Sequence, residues 1–219
     1  MADKFCNIFI KKKSPWSIAL DVVLNVVLVL LIAVFCLVST LKTIGISGRS
    51  MYPTLNDGDQ VAISRIDKSY ERGDIVVAQK GDYYIIKRVI AVEGDTIAFA
   101  WDNGVVKLFI DDMTTPIDEP YIKEAMVMVD NSGKGLFIKP AQTLEELSQN
   151  LDKYAYTIPE NHLFLMGDNR NHSTDSRVDG TYDESSVIGK MVFNVTESKV
   201  WSFIFDIIQR NNKEITKHD

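Results

Sequence analysis

The sequence predicts a mainly β protein: antiparallel strands carrying a small inserted subdomain, preceded by one membrane-spanning helix. Three observations carry this expectation. A long apolar run fills residues 18–41. Seven short β-rich runs follow, separated by turns rich in Gly, Asn and Asp. After the apolar run, only the stretch from Thr143 has the start signal of a helix.

The apolar run reads IALDVVLNVVLVLLIAVFCLVSTL from Ile18 to Leu41. As a helix its length is about 36 Å, enough for a hydrocarbon core of ~30 Å with some tilt. Asp21 and Asn25 fall in its first third on one face, where an aspartate reaches the headgroups at modest cost. It is too long for a cleaved signal peptide and lacks a small-x-small end, so it reads as an uncleaved signal-anchor. Lys11, Lys12 and Lys13 precede it and only Lys42 follows closely. The positive-inside rule then places residues 1–17 in the cytoplasm and 42–219 outside the cell membrane.

The expected strands are Gln60–Ile66, Asp74–Gln79, Tyr83–Val92, Thr96–Ala100, Val105–Ile110, His162–Met166 and Val187–Val195. Asn103-Gly104 between apolar runs is a hairpin signal. Thr143-Leu144-Glu145-Glu146 reads as a capping box leading into Leu147 and Leu151. The catalytic β core is expected at about 42–100 and 158–200. An insertion at about 101–157 holds the irregular stretch Asp111–Lys123, the turn at Asp130–Gly133 and the helix. Trp201–Ile208 is too short to span a bilayer and reads as a packed terminal segment; Gln209–Asp219 is a polar tail.

Removing the four lysines and two aspartates of residues 1–41 leaves 20 basic and 28 acidic residues, a formal charge of −8. An acidic globular part argues against a nucleic-acid partner, which needs clustered positive charge. The two cysteines are Cys6, read as an incidental free thiol, and Cys36 within the span. The globular part therefore has no disulfide, no thiol nucleophile and no cysteine-based metal site.

Three stretches carry chemistry. Ser50 lies in Gly48-Arg49-Ser50-Met51-Tyr52-Pro53-Thr54-Leu55, a turn nine residues beyond Leu41. Lys87 lies in Tyr84-Ile85-Ile86-Lys87-Arg88-Val89-Ile90, an otherwise apolar strand. Lys87 shares a face with Tyr83, Ile85 and Val89, and both faces are apolar enough to be buried. A buried lysine is costly unless paired or discharged. A neutral lysine beside a serine hydroxyl is a general base for nucleophilic attack. The plain alternative is a lysine that snorkels or pairs with a carboxylate. The third stretch runs from Gly167 to Arg177, where Ser173 is placed to orient the lysine, and Asp168 and Asp175 to pair with Arg88 and Arg177.

Two rival sites fit less well. A Ser-His-Asp triad through His172 rests on a histidine among aspartates in a polar loop, usually a solvated turn. A calcium loop from Asp168 puts Arg170 and His172 where oxygen ligands are needed, and Ser173 where glycine is needed. No zinc pattern exists.

Ser50-Met51-x-Pro53-Thr54-Leu55, Gly73-Asp74-Ile75-Val76, Lys87-Arg88-Val89 with Gly94-Asp95, and Gly167-Asp168-Asn169-Arg170 through Ser173-x-Asp175-Ser176-Arg177 follow one another in order. These boxes, after an N-in anchor, resemble the signature of bacterial type I signal peptidases, of the Gram-positive kind. The resemblance covers roughly 44–100 and 160–195. It implies a signal-peptidase/LexA-like antiparallel β fold and a membrane-bound serine endopeptidase. Such an enzyme removes N-terminal signal peptides from exported preproteins after small residues of Ala-x-Ala type. By the same resemblance Ser50 is the nucleophile, Lys87 the neutral base and Ser173 the base-orienting residue. The Ser50 backbone N–H is an oxyanion donor, with Gly48 a second candidate; some relatives have a serine where Gly48 stands. Ile46, Met51, Leu55 and Ile85 would line one substrate pocket, and Ile44 and Ile86 another. Arg88, Asp168, Asp175 and Arg177 would form a structural polar network. The resemblance implies no metal and no cofactor. Partners would be signal-peptide-bearing preproteins and the lipid bilayer, with the secretion translocase or pilin substrates as further candidates. Two other readings are a non-cleaving assembly factor, disfavoured by the intact serine and lysine, and a soluble self-cleaving repressor relative, disfavoured by the anchor.

Overall fold

Ser14 starts the first helix of the computed structural model, which describes residues 14–128 and 135–198. The Ser14 hydroxyl accepts from the Ser17 N–H at 3.2 Å, and Pro15 occupies the first helical position, where a missing N–H goes unnoticed. Helix α1 (Pro15–Ser39) therefore begins three residues earlier than its apolar pattern indicated. Pro15–Phe35 is long and apolar enough to cross a membrane, with its large apolar side chains exposed. The Asn25 side chain donates to the Asp21 carbonyl at 2.8 Å, so this polar pair is in part satisfied within the helix. The expected end at Leu41 is corrected to Ser39: Leu41 opens strand β1 (Leu41–Gly45). The chain divides into two compact units, residues 1–41 and 42–219.

All seven expected strands form, with ends shifted by no more than two residues: β2 (Gln60–Ser64), β3 (Ile75–Lys80), β4 (Tyr83–Ala91), β5 (Thr96–Asp102), β6 (Val105–Ile110), β8 (His162–Met166) and β10 (Val187–Asn194). Besides β1, two further strands, β7 (Tyr156–Thr157) and β9 (Tyr182–Asp183), are two residues long, too short to show a period of two. Seven strands form one sheet in the order β1-β2-β10-β3-β4-β8-β9; β6-β5-β7 form a second. Pairing along the larger sheet from β2 to β9 is antiparallel, as in the smaller sheet. Asn103 (φ 49°) and Gly104 (φ 82°) make the tight β5–β6 hairpin, the left-handed pair that an Asn-Gly turn favours.

Alternation along β3 and β4 sorts the core. Val77 and Ile86 join Ile46, Met51, Leu55, Val61 and Ile63 on one face of the large sheet. Val76, Ala78 and Val89 join Leu163, Leu165 and Val187 on the other. A third cluster, built on Phe99, Phe164, Met166 and Ile97, packs the small sheet against the ends of β4 and β8. β5 starts at Thr96 and is the central strand of the small sheet, so that sheet begins before the 101 boundary drawn for the insertion.

The expected helix from Thr143 splits in two. Thr143 caps α2 (Leu144–Gln149), accepting from the Glu146 N–H at 3.0 Å, and Leu147 is fully buried. Asn150 interrupts it, and α3 (Leu151–Tyr154) follows with Leu151 exposed. A further short helix, α4 (Ser176–Asp179), is capped by Asp175. The expected turn 130–133, the segment 201–208, the tail, Lys11–Lys13 and Cys6 lie outside the described residues.

β10 runs between β2 and β3, and a Cβ at Gly189 would sit 2.6 Å from the Ser64 carbonyl oxygen. Gly189→Ala is expected to destabilise the globular part by about 1–3 kcal/mol. Chemical denaturation reads this as a lower midpoint; an unchanged midpoint would mean the strands part there without cost.

Candidate active site

β4 carries the lysine. It is the strand between β3 and β8, but Tyr83 and Tyr84 at its start are more than half exposed. Burial on both faces, expected for the whole strand, therefore holds only from Lys87 onward. Lys87 is 4 % exposed. Its Nζ lies 2.7 Å from Ser50 Oγ, within hydrogen-bond reach across 37 residues of chain. Burial pulls the Lys87 pKa down from 10.5 to about 8. Asp175 opposes that shift, whereas Lys80 and Arg177 add to it. An amine in this state is a usable base close to neutral pH.

Ser50 is held by backbone. The turn is closed by Tyr52 N–H to Arg49 carbonyl at 3.1 Å and Leu55 N–H to Met51 carbonyl at 3.0 Å. The loop after β8 then docks on it. The Asn169 N–H donates to the Ser50 carbonyl and the Asn169 side-chain amide to the Arg49 carbonyl, each at 3.0 Å. Gly167 makes this approach feasible. A Cβ there would lie 2.4 Å from the Ser50 carbonyl oxygen and 2.3 Å from Ser173 Oγ. No side chain fits at that point.

The Ser50 N–H makes no hydrogen bond among the described residues. The Gly48 N–H is engaged by Asp57 Oδ1 at 2.8 Å, and Gly48 itself takes a left-handed φ of 96°. Ser173 is buried, and its hydroxyl has no hydrogen-bond partner among the described residues.

Two ion pairs fix the frame. Arg88 clasps Asp168 with Nε–Oδ1 2.8 Å and Nη2–Oδ2 2.6 Å, and Thr54 of the serine turn donates to the same carboxylate at 2.5 Å. Arg177 clasps Asp175 with both contacts at 2.8 Å, and the Gly167 N–H also donates to Asp175. Burial alone would raise the Asp175 pKa, but Arg177 and that N–H hold it below the usual range. Both carboxylates are almost fully buried.

Five of the six pocket candidates share one cluster: Ile46, Met51 and Leu55 in the core, with Ile44 and Ile86 packed against it. Ile85 stands apart, packed with Val76, Ala78 and Val89 on the other face of the sheet. A cleft of about 780 Å³ opens next to the serine turn, lined among others by Arg49, Tyr52, Asp57, Lys123 and Asn169. His172 also faces this cleft, exposed, while the Ser50 hydroxyl is taken by Lys87.

Sequence reasoning passed over one part. Glu119 and Tyr121, in the irregular stretch after β6, reach Arg170 and Arg88. Nothing local marks them, because their partners lie tens of residues away.

A buried serine–lysine contact on a β scaffold is the equipment of a serine hydrolase. The family model described as "Signal peptidase, peptidase S26" matches residues 19–196. Signal peptidase I of Streptococcus pneumoniae serotype 4 is 33 % identical over 173 residues, 70 % of this chain and 81 % of the relative. Signal peptidase I S of Bacillus subtilis (strain 168) is 32 % identical over 187 residues, 84 % and 90 %. Signal peptidase IB of Staphylococcus aureus is 34 % identical over 163 residues, 72 % and 76 %. The crystal structure of a signal peptidase I from Enterococcus faecalis V583 matches at 23 % identity and a TM-score of 0.37, covering 57 % of this chain and 97 % of that one. The chain is thus a serine peptidase. It belongs to the signal peptidase family, peptidase S26.

Gly167→Ala is expected to lower peptidase activity at least about tenfold, because it forces the Ser50 turn and Ser173 away from the strand bearing Lys87. Rates should be compared at equal far-UV circular dichroism. Wild-type rates in a folded variant would contradict the close approach.

Proposed function

We propose that this chain is a membrane-bound endopeptidase that removes N-terminal signal peptides from exported preproteins, cutting after small residues of Ala-x-Ala type. The observation that carries the reading is the 2.7 Å contact between a buried lysine amine and the Ser50 hydroxyl. Membership of the signal peptidase family supplies the substrate class.

In the proposed reaction Ser50 Oγ bonds to the scissile carbonyl carbon as its proton passes to neutral Lys87. The carbonyl oxygen becomes an oxyanion, and the Ser50 N–H is the donor suited to it. The Gly48 N–H, held by Asp57, contributes only if that bond opens. The tetrahedral intermediate collapses, the C–N bond breaks, and the Lys87 ammonium gives its proton to the leaving amine. Lys87, neutral again, takes a proton from water as its oxygen bonds to the acyl carbon. The ester C–O bond then breaks, Lys87 returns the proton to Ser50 Oγ, and the signal peptide leaves as the carboxylic acid. Ser173 is proposed to orient the amine; its buried hydroxyl lies beside Gly167 and has no hydrogen-bond partner among the described residues.

Small substrate residues are expected to fill pockets edged by Ile46, Met51 and Leu55, and by Ile44 and Ile86, all of one aliphatic cluster. Ile85 is assigned to the first pocket as well; it shares its face of β4 with Lys87 and packs in a different cluster from Ile86. Helix α1 would anchor the chain with its N-terminus in the cytoplasm and residues 42–219 outside, so cleavage takes place on preproteins emerging at the outer face. The secretion translocase and pilin-type preproteins are the partners this placement would favour.

With a preprotein carrying an Ala-x-Ala site, Ser50→Ala and Lys87→Ala are each expected to lose at least about a thousandfold in cleavage rate. His172→Ala should stay within about threefold. Activity in Lys87→Ala together with loss in His172→Ala would overturn the mechanism. A wild-type chain that binds the preprotein without cutting it would favour an assembly role.

The pH dependence has a definite sign. The active form is the neutral amine, whose fraction grows as pH rises. The rate should therefore climb about tenfold per pH unit on the acid side and level off above the Lys87 pKa of about 8. A profile flat from about pH 6 to about pH 9 would contradict a lysine base.

A further inference from the structure

The segment after β6 crosses the site as a strap. It contacts each of the three stretches that carry the site. On the lysine strand, the Tyr121 ring lies under the Arg88 guanidinium, 4.1 Å from its carbon to the ring centroid. On the loop after β8, Glu119 pairs with Arg170, one contact being Nη1–Oε2 at 2.6 Å. That arginine side chain is 1 % exposed, and the glutamate 7 %. The Tyr121 hydroxyl donates to Glu119 at 2.7 Å, and the Arg170 guanidinium lies 5.9 Å from the same ring. On the serine turn, Lys123 Nζ lies 5.3 Å from the Tyr52 ring. The strap is pinned further along by Asn171, which accepts from the Val127 N–H at 2.9 Å and donates to the Ala125 carbonyl at 3.1 Å.

This arrangement answers an electrostatic problem. Arg88 and Arg170 carry like charges and approach one aromatic ring. Asp168 neutralises Arg88 and Glu119 neutralises Arg170, and the ring face attracts both. Burial raises the Tyr121 pKa, so the phenol remains neutral. Tyr121 also covers the Arg88 side of the Arg88–Asp168 pair. Water kept off that pair strengthens it, and the pair joins the strand of Lys87 to Thr54 in the turn of Ser50.

We propose that Tyr121, through its ring face, is a positioning residue for the Ser50–Lys87 pair, acting through Arg88 and Asp168. It touches neither reacting group. The inference rests on the Ser50–Lys87 reading of the reaction. It gives the stretch after β6 a task in the chemistry: a shift of the Arg88 clasp moves the serine turn relative to the amine, and attack geometry is lost before substrate binding is.

The test uses the full-length chain in detergent micelles and a fluorogenic peptide with an Ala-x-Ala site. Wild type is compared with Tyr121→Phe, Tyr121→Met, Tyr121→Leu and Ser50→Ala, and each variant's thermal unfolding is recorded. Tyr121→Phe keeps the ring face and should retain kcat within about twofold. Tyr121→Met fills much of the same space with no ring face, and with Tyr121→Leu it should lose about tenfold in kcat at a KM within about twofold. A merely structural loss would not spare KM in a cooperatively folding variant and be rescued by phenylalanine. If Tyr121→Leu fails to fold, Tyr121→Met decides. Wild-type kcat in folded Tyr121→Met, or a raised KM with kcat unchanged, would overturn the inference while leaving the Ser50–Lys87 reading intact. An inactive wild-type chain, or an active Ser50→Ala, would instead remove the reading and this inference with it.

Discussion

An amine can be buried beside a hydroxyl only if its charge is removed or matched, and this constraint organises the globular part. Among the described residues no carboxylate is hydrogen-bonded to the Lys87 Nζ; its partner there is Ser50 Oγ. The charges around it are paired among themselves: Asp175 is spent on Arg177, and Asp168 on Arg88. Had either carboxylate turned to the lysine, the amine would hold its proton more tightly and the pocket would contain an ordinary salt bridge. The two ion pairs thus hold the loop and the strand together, and they keep negative charge from settling on the base.

Glycine sets the distance over which this works. The loop after β8 lies so close to the serine turn that Gly167 leaves no space for a Cβ. Its neighbours then bond directly: Asn169 to the carbonyls of Ser50 and Arg49, and the Gly167 N–H to Asp175. The serine turn and the loop after β8 are thereby joined through the Asn169 backbone and side chain, and the Arg88–Asp168 pair ties the lysine strand to the same loop.

Much of this could be read from the residues. The seven main strands follow the alternation of apolar and polar positions, and the Asn103-Gly104 hairpin follows from turn chemistry. Ser50, Lys87 and the two arginine–aspartate pairs stood out because each is odd in its local setting: a lysine in an apolar strand, or aspartates and arginines crowded into one loop. What escaped had no local signature. Two-residue strands such as β7 and β9 exist only because a neighbour offers an edge. The start of α1 was carried by Ser14-Pro15, which precede the apolar pattern that opens at Ile18. Ile85 and Ile86 were both assigned to pockets by resemblance, and the period of two in β4 sets them on opposite faces, Ile85 on the face of Lys87. Glu119 and Tyr121 look like surface residues of an irregular stretch until the fold brings Arg88 and Arg170 to them.

The most direct check is the titration of the Lys87 amine itself in the full-length protein. Lysines labelled with carbon-13 at Cε would be followed by NMR against pH, with Lys87→Arg used to assign the signal. A midpoint near about 8 is expected, against 10.5 for an ordinary lysine. A Lys87 signal that titrates near 10.5 would mean that the amine is charged at neutral pH, and the buried serine–lysine contact would then be a structural hydrogen bond and not a poised base.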